Sequence, residues 1–90
     1  MTTYIKDPQE VLDYGFDWSD WLETGDTVDT SDWTIKPSGL TEVSDSKTDT
    51  TTMIWVSGGT VGSKHKVTNR VLTADNRTVE RSFYVKIQSK

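Results

Sequence analysis

Ninety residues with a net charge of −4, four tryptophans and no cysteine leave room for one small domain. They exclude disulfide reinforcement and thiolate metal sites. No run approaches the roughly 18–20 apolar residues of a membrane span, and the opening MTTYIK lacks the apolar stretch of a secretory signal, so a soluble chain is expected.

Fifteen Thr and nine Ser, with Val and Ile at alternating positions, favour β-structure. The charge is unevenly spread along the chain. Residues 1–49 hold twelve acids against Lys6, Lys36 and Lys47, whereas residues 50–90 hold Asp75 and Glu80 against seven bases. Neighbouring strands can compensate such a split internally. If the strands segregate instead, opposite patches would steer subunits into head-to-tail stacking.

In chain order, residues 1–8 read as an extended N-terminal arm. Leu12, Tyr14, Phe16 and Trp18 then alternate with Asp13, Gly15 and Asp17, the period of a half-buried strand. The pattern breaks at SDWLETGD. Ser19 can cap one helical turn over residues 19–24 and Gly25 can end it in a left-handed conformation. A corner there would carry the chain from one sheet to the other. Val28 begins a short edge segment, followed by Trp33 and Ile35 alternating with polar residues, and Pro37-Ser38-Gly39 is a turn.

LTEVSDSKTD places Leu40 and Val43 out of register, so a short irregular strand and a loop are expected. TTTMIWVSGG is a clear strand ended by Gly58-Gly59. Its Met53-Ile54-Trp55-Val56 run is apolar on both faces, as in a central strand or one whose outer face is covered. The last third reads as two strands around Ala74-Asp75-Asn76, with Asn76 at the left-handed position of a three-residue hairpin loop. That register sets Thr73 opposite Arg77, Val71 opposite Val79 and Val67 opposite Phe83. It puts Val85 on the same inward face, together with Asn69 and Arg81, two polar residues in an apolar row.

The elements sum to an all-β fold, an Ig-like sandwich of about seven antiparallel strands with a one-turn helical corner near residues 19–24. The expected core is Tyr14, Phe16, Trp18, Trp33, Val67, Val71, Phe83 and Val85.

Few residues suggest chemistry. His65 stands between Lys64 and Lys66 without a nucleophile-bearing Gly-x-Ser-x-Gly turn, so it reads as a surface or rim residue. No catalytic residue and no enzyme are expected. The acids Asp13, Asp17, Asp20, Asp26, Asp29 and Asp32 make calcium the best candidate ion. They form no EF-hand loop, and no cofactor or metal site is assigned. Trp21 and Trp55 are the indoles open to an outside contact, because Trp18 and Trp33 fit inward positions. The bases of the second half lack an aromatic stacking array, so no nucleic-acid partner is expected.

The chain resembles, over nearly its whole length, small phage virion proteins of the fibre–tail adaptor or related tail and head-decoration type. The carriers are Asp7-Pro8, Leu12-Asp13-Tyr14, Asp17-Trp18-Ser19-Asp20-Trp21-Leu22, Gly25-Asp26, Trp33, Ser57-Gly58-Gly59-Thr60, Val67-Thr68-Asn69, Arg77-Thr78 and Arg81-Ser82-Phe83. One departure is the hairpin tip, where Ala74-Asp75-Asn76-Arg77 replaces a Gly-rich turn. The resemblance implies an Ig-like, non-enzymatic part of a virion, made in the host bacterial cytoplasm, that holds other virion proteins and forms a homo-oligomer. Trp21, Leu22, Glu23, Asp26 and Trp55 are then the candidate contact residues. The alternative is a decoration or host-attachment module that binds carbohydrate.

Overall fold

The structure is a computed structural model that describes residues 2–89. Seven strands form two facing sheets: β1 (Thr3–Lys6), β2 (Leu12–Asp17), β3 (Val28–Lys36), β4 (Leu40–Lys47), β5 (Thr51–Gly58), β6 (Lys64–Thr73) and β7 (Thr78–Ile87). One sheet has the order β1-β7-β6-β3 and the other β2-β5-β4. Three strands of each sheet, β7-β6-β3 and β2-β5-β4, face each other as a β-sandwich, with β1 added at the edge beside β7. The described residues contain no helix, so none is long and apolar enough to cross a membrane.

Strand patterning does what the sequence suggests at β2, β6 and β7. In β6 the buried residues His65, Val67, Asn69, Val71 and Thr73 alternate with Lys64, Lys66, Thr68, Arg70 and Leu72. The β6–β7 hairpin pairs Val71 with Val79 and Val67 with Phe83. Its tip closes with the Thr73 amide donating to the Arg77 carbonyl over 2.8 Å, and Asn76 takes φ 65°.

Four expectations need correcting. The strands are not all antiparallel, because β1 runs parallel to β7, with Tyr4 beside Val85 and Lys6 beside Ile87. Residues 3–6 of the expected arm are therefore an edge strand, and Lys6 is fully buried. The corner at residues 19–24 is a run of hydrogen-bonded turns and not a helix. The irregular segment after Leu40 is a full strand. A bulge between Glu42 and Ser44 takes up the residue that put Val43 out of register. His65 is buried, because period two puts it on the face of Val67 while Lys64 and Lys66 point away.

The main core joins Leu40, Ile54, Val56, Val67, Phe83, Val85 and Ile87, with Tyr14, Phe16, Trp33 and Ile35 half-buried against it. Phe83 is its hub. The rings of Tyr4, Tyr14, Phe16 and Trp33 lie 5.4, 5.3, 5.7 and 6.3 Å from its centroid. A second cluster of Trp18, Val28 and Val71 fills the end of the sandwich below the corner. Asn69 sits buried between the clusters and its polar atoms are all used. Trp18 Nε1 donates to Thr52 Oγ1 over 3.0 Å and Thr52 Oγ1 donates to Asn69 Oδ1 over 2.6 Å. Asn69 Nδ2 donates to Ser31 Oγ and to the Asp32 carbonyl. A polar residue in an apolar row is tolerated when its partners are supplied this completely. Arg81, the other unexpected polar residue of that row, lies with its guanidinium 4.5 Å from the Trp18 ring centroid.

Candidate interaction surfaces

The residues expected to meet a partner fall in two separate places. Trp21, Leu22, Glu23 and Asp26 belong to the corner, which closes one end of the sandwich. The Asp17 carboxylate starts it by accepting the Ser19 amide over 2.9 Å, taking the capping role expected of Ser19. That hydrogen bond holds the Asp17 carboxyl below the usual carboxylate range. The Trp18 carbonyl then accepts the amides of both Trp21 and Leu22, each over 2.9 Å. Gly25 ends the turn with φ 83°, a conformation that a Cβ would disfavour.

Much of the corner's bonding faces the β6–β7 hairpin. Trp21 packs edge-on against Trp18 with centroids 5.8 Å apart, and the Arg77 guanidinium lies 4.3 Å from its ring centroid. Arg77 also reaches Glu23 at 3.7 Å. Asp26 is buried, and its Oδ1 accepts the amides of Thr27 and Asp75 over 2.9 and 3.1 Å. Burial alone would push the Asp26 carboxyl up. Hydrogen bonds from Thr73, Asp75 and Thr27, with the nearby Arg77 charge, more than reverse this and leave it below its ordinary value. Asp26 thus clasps the hairpin tip, while exposed Glu23 and the half-buried edges of Trp21 and Leu22 remain open outward.

Trp55 lies elsewhere. It stands on the outer face of the β2-β5-β4 sheet, between Asp13 of β2 and Ser44 of β4, and is 39% exposed. Met53, 38% exposed, stands on the same face between Gly15 and Ser46. Both apolar faces of β5 are thereby accounted for: Ile54 and Val56 enter the core while Met53 and Trp55 remain in water.

His65 is held at both ring nitrogens. Nδ1 donates to the Pro37 carbonyl over 2.8 Å, and Nε2 lies 3.0 Å from the Ser63 hydroxyl. Among the described residues no group of three or more His, Asp or Glu is placed to hold a metal ion. The acids proposed for calcium are spread over β2, the corner and β3.

What the sequence reading left open is how charge divides between surfaces. The outer face of the β1-β7-β6-β3 sheet carries Lys36, Lys64, Lys66, Arg70 and Lys86 against Asp32 and Glu80. A shallow groove of about 290 Å³, lined by Thr34, Lys36, Lys66, Thr68 and Glu80, runs along it. The outer face of the other sheet carries Asp13 and Asp17 beside Trp55 and Met53. Exposed Asp20, Asp29 and Asp49 crowd the corner end. The strands segregate, and the charge with them.

No curated protein matches this sequence. A family model described as "Podophage GP4 fiber-tail adaptor protein gp77" matches residues 6–86, from the last residue of β1 almost to the end of β7. Strands β2 to β6, the corner and all but the last residue of β7 lie inside the matched span, and the chain belongs to this family of podophage fibre–tail adaptor proteins.

Proposed function

We propose that this chain is a non-enzymatic structural protein of a phage virion, an Ig-like adaptor that joins tail and fibre through contacts of its outer surfaces. The observation that carries this reading is the family match over residues 6–86, which takes in the corner and strands β2 to β6 whole, with nearly all of β7. The physical character of the fold supports it. Three of its buried titratable side chains are held in structure: His65 on Pro37 and Ser63, Asp26 through Oδ1 on the hairpin tip, Lys6 on the Gly58 and Asp7 carbonyls. Its exposed features are a Trp55–Met53 strip, a lysine-rich face and an acidic end, the material of protein contacts. The contact residues are Trp55, together with Trp21, Leu22 and Glu23 at the corner.

The test is co-sedimentation of the full chain with the tail and fibre proteins of its phage. A stable complex containing all three is expected. A chain that binds neither protein overturns the reading.

One observation favours a second reading, a decoration or host-attachment module that binds carbohydrate. Trp55 is exposed beside polar Asp13 and Ser44, as a sugar-stacking indole would be. Signal on a glycan array that disappears in Trp55→Ala would favour it, and a blank array would dismiss it.

A further inference from the structure

We propose that Trp55 and Asp13 form a receptor for an arginine side chain of a tail or fibre protein. This inference names the chemistry of the partner at that indole and rests on the adaptor reading. Three of the four indoles have a companion over the ring within the chain. The Arg81 guanidinium lies 4.5 Å from the Trp18 centroid, and that of Arg77 lies 4.3 Å from the Trp21 centroid. Trp33 stacks on Phe16, with centroids 6.0 Å apart and planes at 11°. Among the described residues Trp55 has neither an aromatic ring nor a cation against it, although it is the most exposed of the four.

The surroundings of Trp55 repeat those of Trp21 with the arginine missing. At the corner, Trp21 offers its ring to Arg77 while Glu23 meets the same guanidinium at 3.7 Å. On the outer face of the β2-β5-β4 sheet, exposed Asp13 stands directly across from Trp55. Residues paired in this way hold their Cβ atoms about 4.5–5.5 Å apart, so one guanidinium can lie on the indole and bind the carboxylate. Asp17 adds a second negative charge on this face, and Met53 extends its apolar strip. Among the described residues the three strands place no Lys or Arg there. Lys47 of β4 turns the other way and donates to the Val28 carbonyl. The lysine rows, Lys36 opposite Lys66 and Lys64 opposite Lys86, belong to the other sheet.

Ring and charge together choose the occupant. An indole face attracts cations, most of all once water is excluded. A guanidinium is planar and weakly hydrated, so it stacks on a ring and pairs with a carboxylate at once, whereas an ammonium keeps its water. A neutral sugar would meet the same indole but gain little from two acids with no base among them. The arginine must come from another protein, because this chain's own three are already placed. Arg77 and Arg81 lie on indoles, and Arg70 stands between Asp32 and Glu80 across the β3-β6-β7 strands.

Two measurements on the full chain test this. The first is an NMR titration of the Trp55 indole N–H with acetyl-Gly-Arg-Gly-amide, compared with acetyl-Gly-Lys-Gly-amide at equal ionic strength. The arginine peptide should shift the resonance to saturation and bind several-fold more tightly than the lysine peptide. Asp13→Asn should abolish that preference. The second is calorimetry with the tail and fibre proteins of the phage. Asp13→Asn and Trp55→Leu should each weaken binding to one of them about tenfold. The double variant should lose little more than either alone, because both residues hold one guanidinium. Thermal melts of the variants, expected at the wild-type midpoint, separate lost contact from lost fold. Equal binding of the two peptides overturns the inference. So does a glycan-array signal lost in Trp55→Leu and kept in Asp13→Asn, which gives the indole to a sugar. Self-association that Trp55→Leu abolishes gives it to a second copy, with the same result. A chain whose variants bind tail and fibre as wild type does sinks this inference alone. One that takes the arginine peptide at Trp55 but binds neither protein leaves the receptor standing and sinks the adaptor reading.

Discussion

Thr52 and Asn69 join the two sheets at their centre. Thr52 Oγ1 of β5 donates to Asn69 Oδ1 of β6 over 2.6 Å, and Trp18 Nε1 donates in turn to the same hydroxyl. All three side chains are buried, so each lost partner strands a polar atom away from water. Thr52→Val keeps the shape and removes the hydroxyl. It should cost about 2–4 kcal/mol, since an unsatisfied buried group costs about 1–3 kcal/mol and two are left here. Urea unfolding with an unchanged m-value would report it. A loss under about 0.5 kcal/mol would mean the network contributes nothing net.

Trp18→Ala removes the largest fully buried side chain and empties the second core cluster, where Val28 and Val71 pack. Large-to-small changes of this kind cost about 3–5 kcal/mol. A domain of this size has about 5–10 kcal/mol to lose, so the variant should melt well below wild type or fail to fold. The Arg81 and Trp21 contacts on the same indole would go with it.

The Asp26 carboxyl makes the stability depend on acid. Its folded pKa lies below its ordinary value of 3.8. The ionised carboxylate therefore contributes stability that is fully present above the unfolded pKa, and is lost as pH falls through the folded pKa. Asp26→Asn keeps the shape without the charge. The difference between wild type and variant should be steady from about pH 5 to pH 7 and narrow as the pH drops below about 4. Chemical denaturation across that range would measure it. A gap that widened in acid would contradict the assignment.

How much of this was legible beforehand depended on whether a signal was local. The hairpin register followed from matching two apolar rows around a three-residue tip, and Asn76 has the left-handed φ of 65° that the tip requires. Continued to the end of the hairpin, that register pairs Lys64 with Lys86 in the structure. The partner pair Lys36 and Lys66 depends on β3 lying beside β6, a contact between residues far apart in sequence, so the lysine rows could not be seen as a surface. The parallel seat of β1 was invisible for the same reason. TYIK carries too few residues to reveal a pattern, and its place is set by β7. The lysines on either side of His65 suggest a solvent-facing setting, but strand alternation turns the imidazole away from both and into the interior. Corner residues showed a turn in the sequence, but not that Asp26 Oδ1 would accept the amides of Asp75 and Thr27.

At the hairpin tip, Asn76→Gly should be neutral or mildly stabilising and Asn76→Val should cost about 1–2 kcal/mol. A β-branched side chain resists the positive φ that Asn tolerates and Gly adopts freely. Thermal melts of the pair would show it. Equal melting points would mean that the tip rearranges without penalty.

Trp55 separates stability from function. The indole is 39% exposed and belongs to neither core cluster. Trp55→Ser should therefore change unfolding free energy by less than about 1 kcal/mol, as surface substitutions do. The same change should weaken binding to a tail or fibre partner by about 2 kcal/mol or more if the Trp55–Met53 strip anchors the contact, because aromatic residues at the centre of an interface dominate its energy. Titration calorimetry beside denaturant unfolding distinguishes the two effects. Trp18→Phe is the useful control, since it should lower stability and leave affinity intact. A Trp55 variant that loses stability and keeps affinity would place the indole among the packing residues, and the contact would have to be sought at the corner, where Trp21 and Glu23 share Arg77.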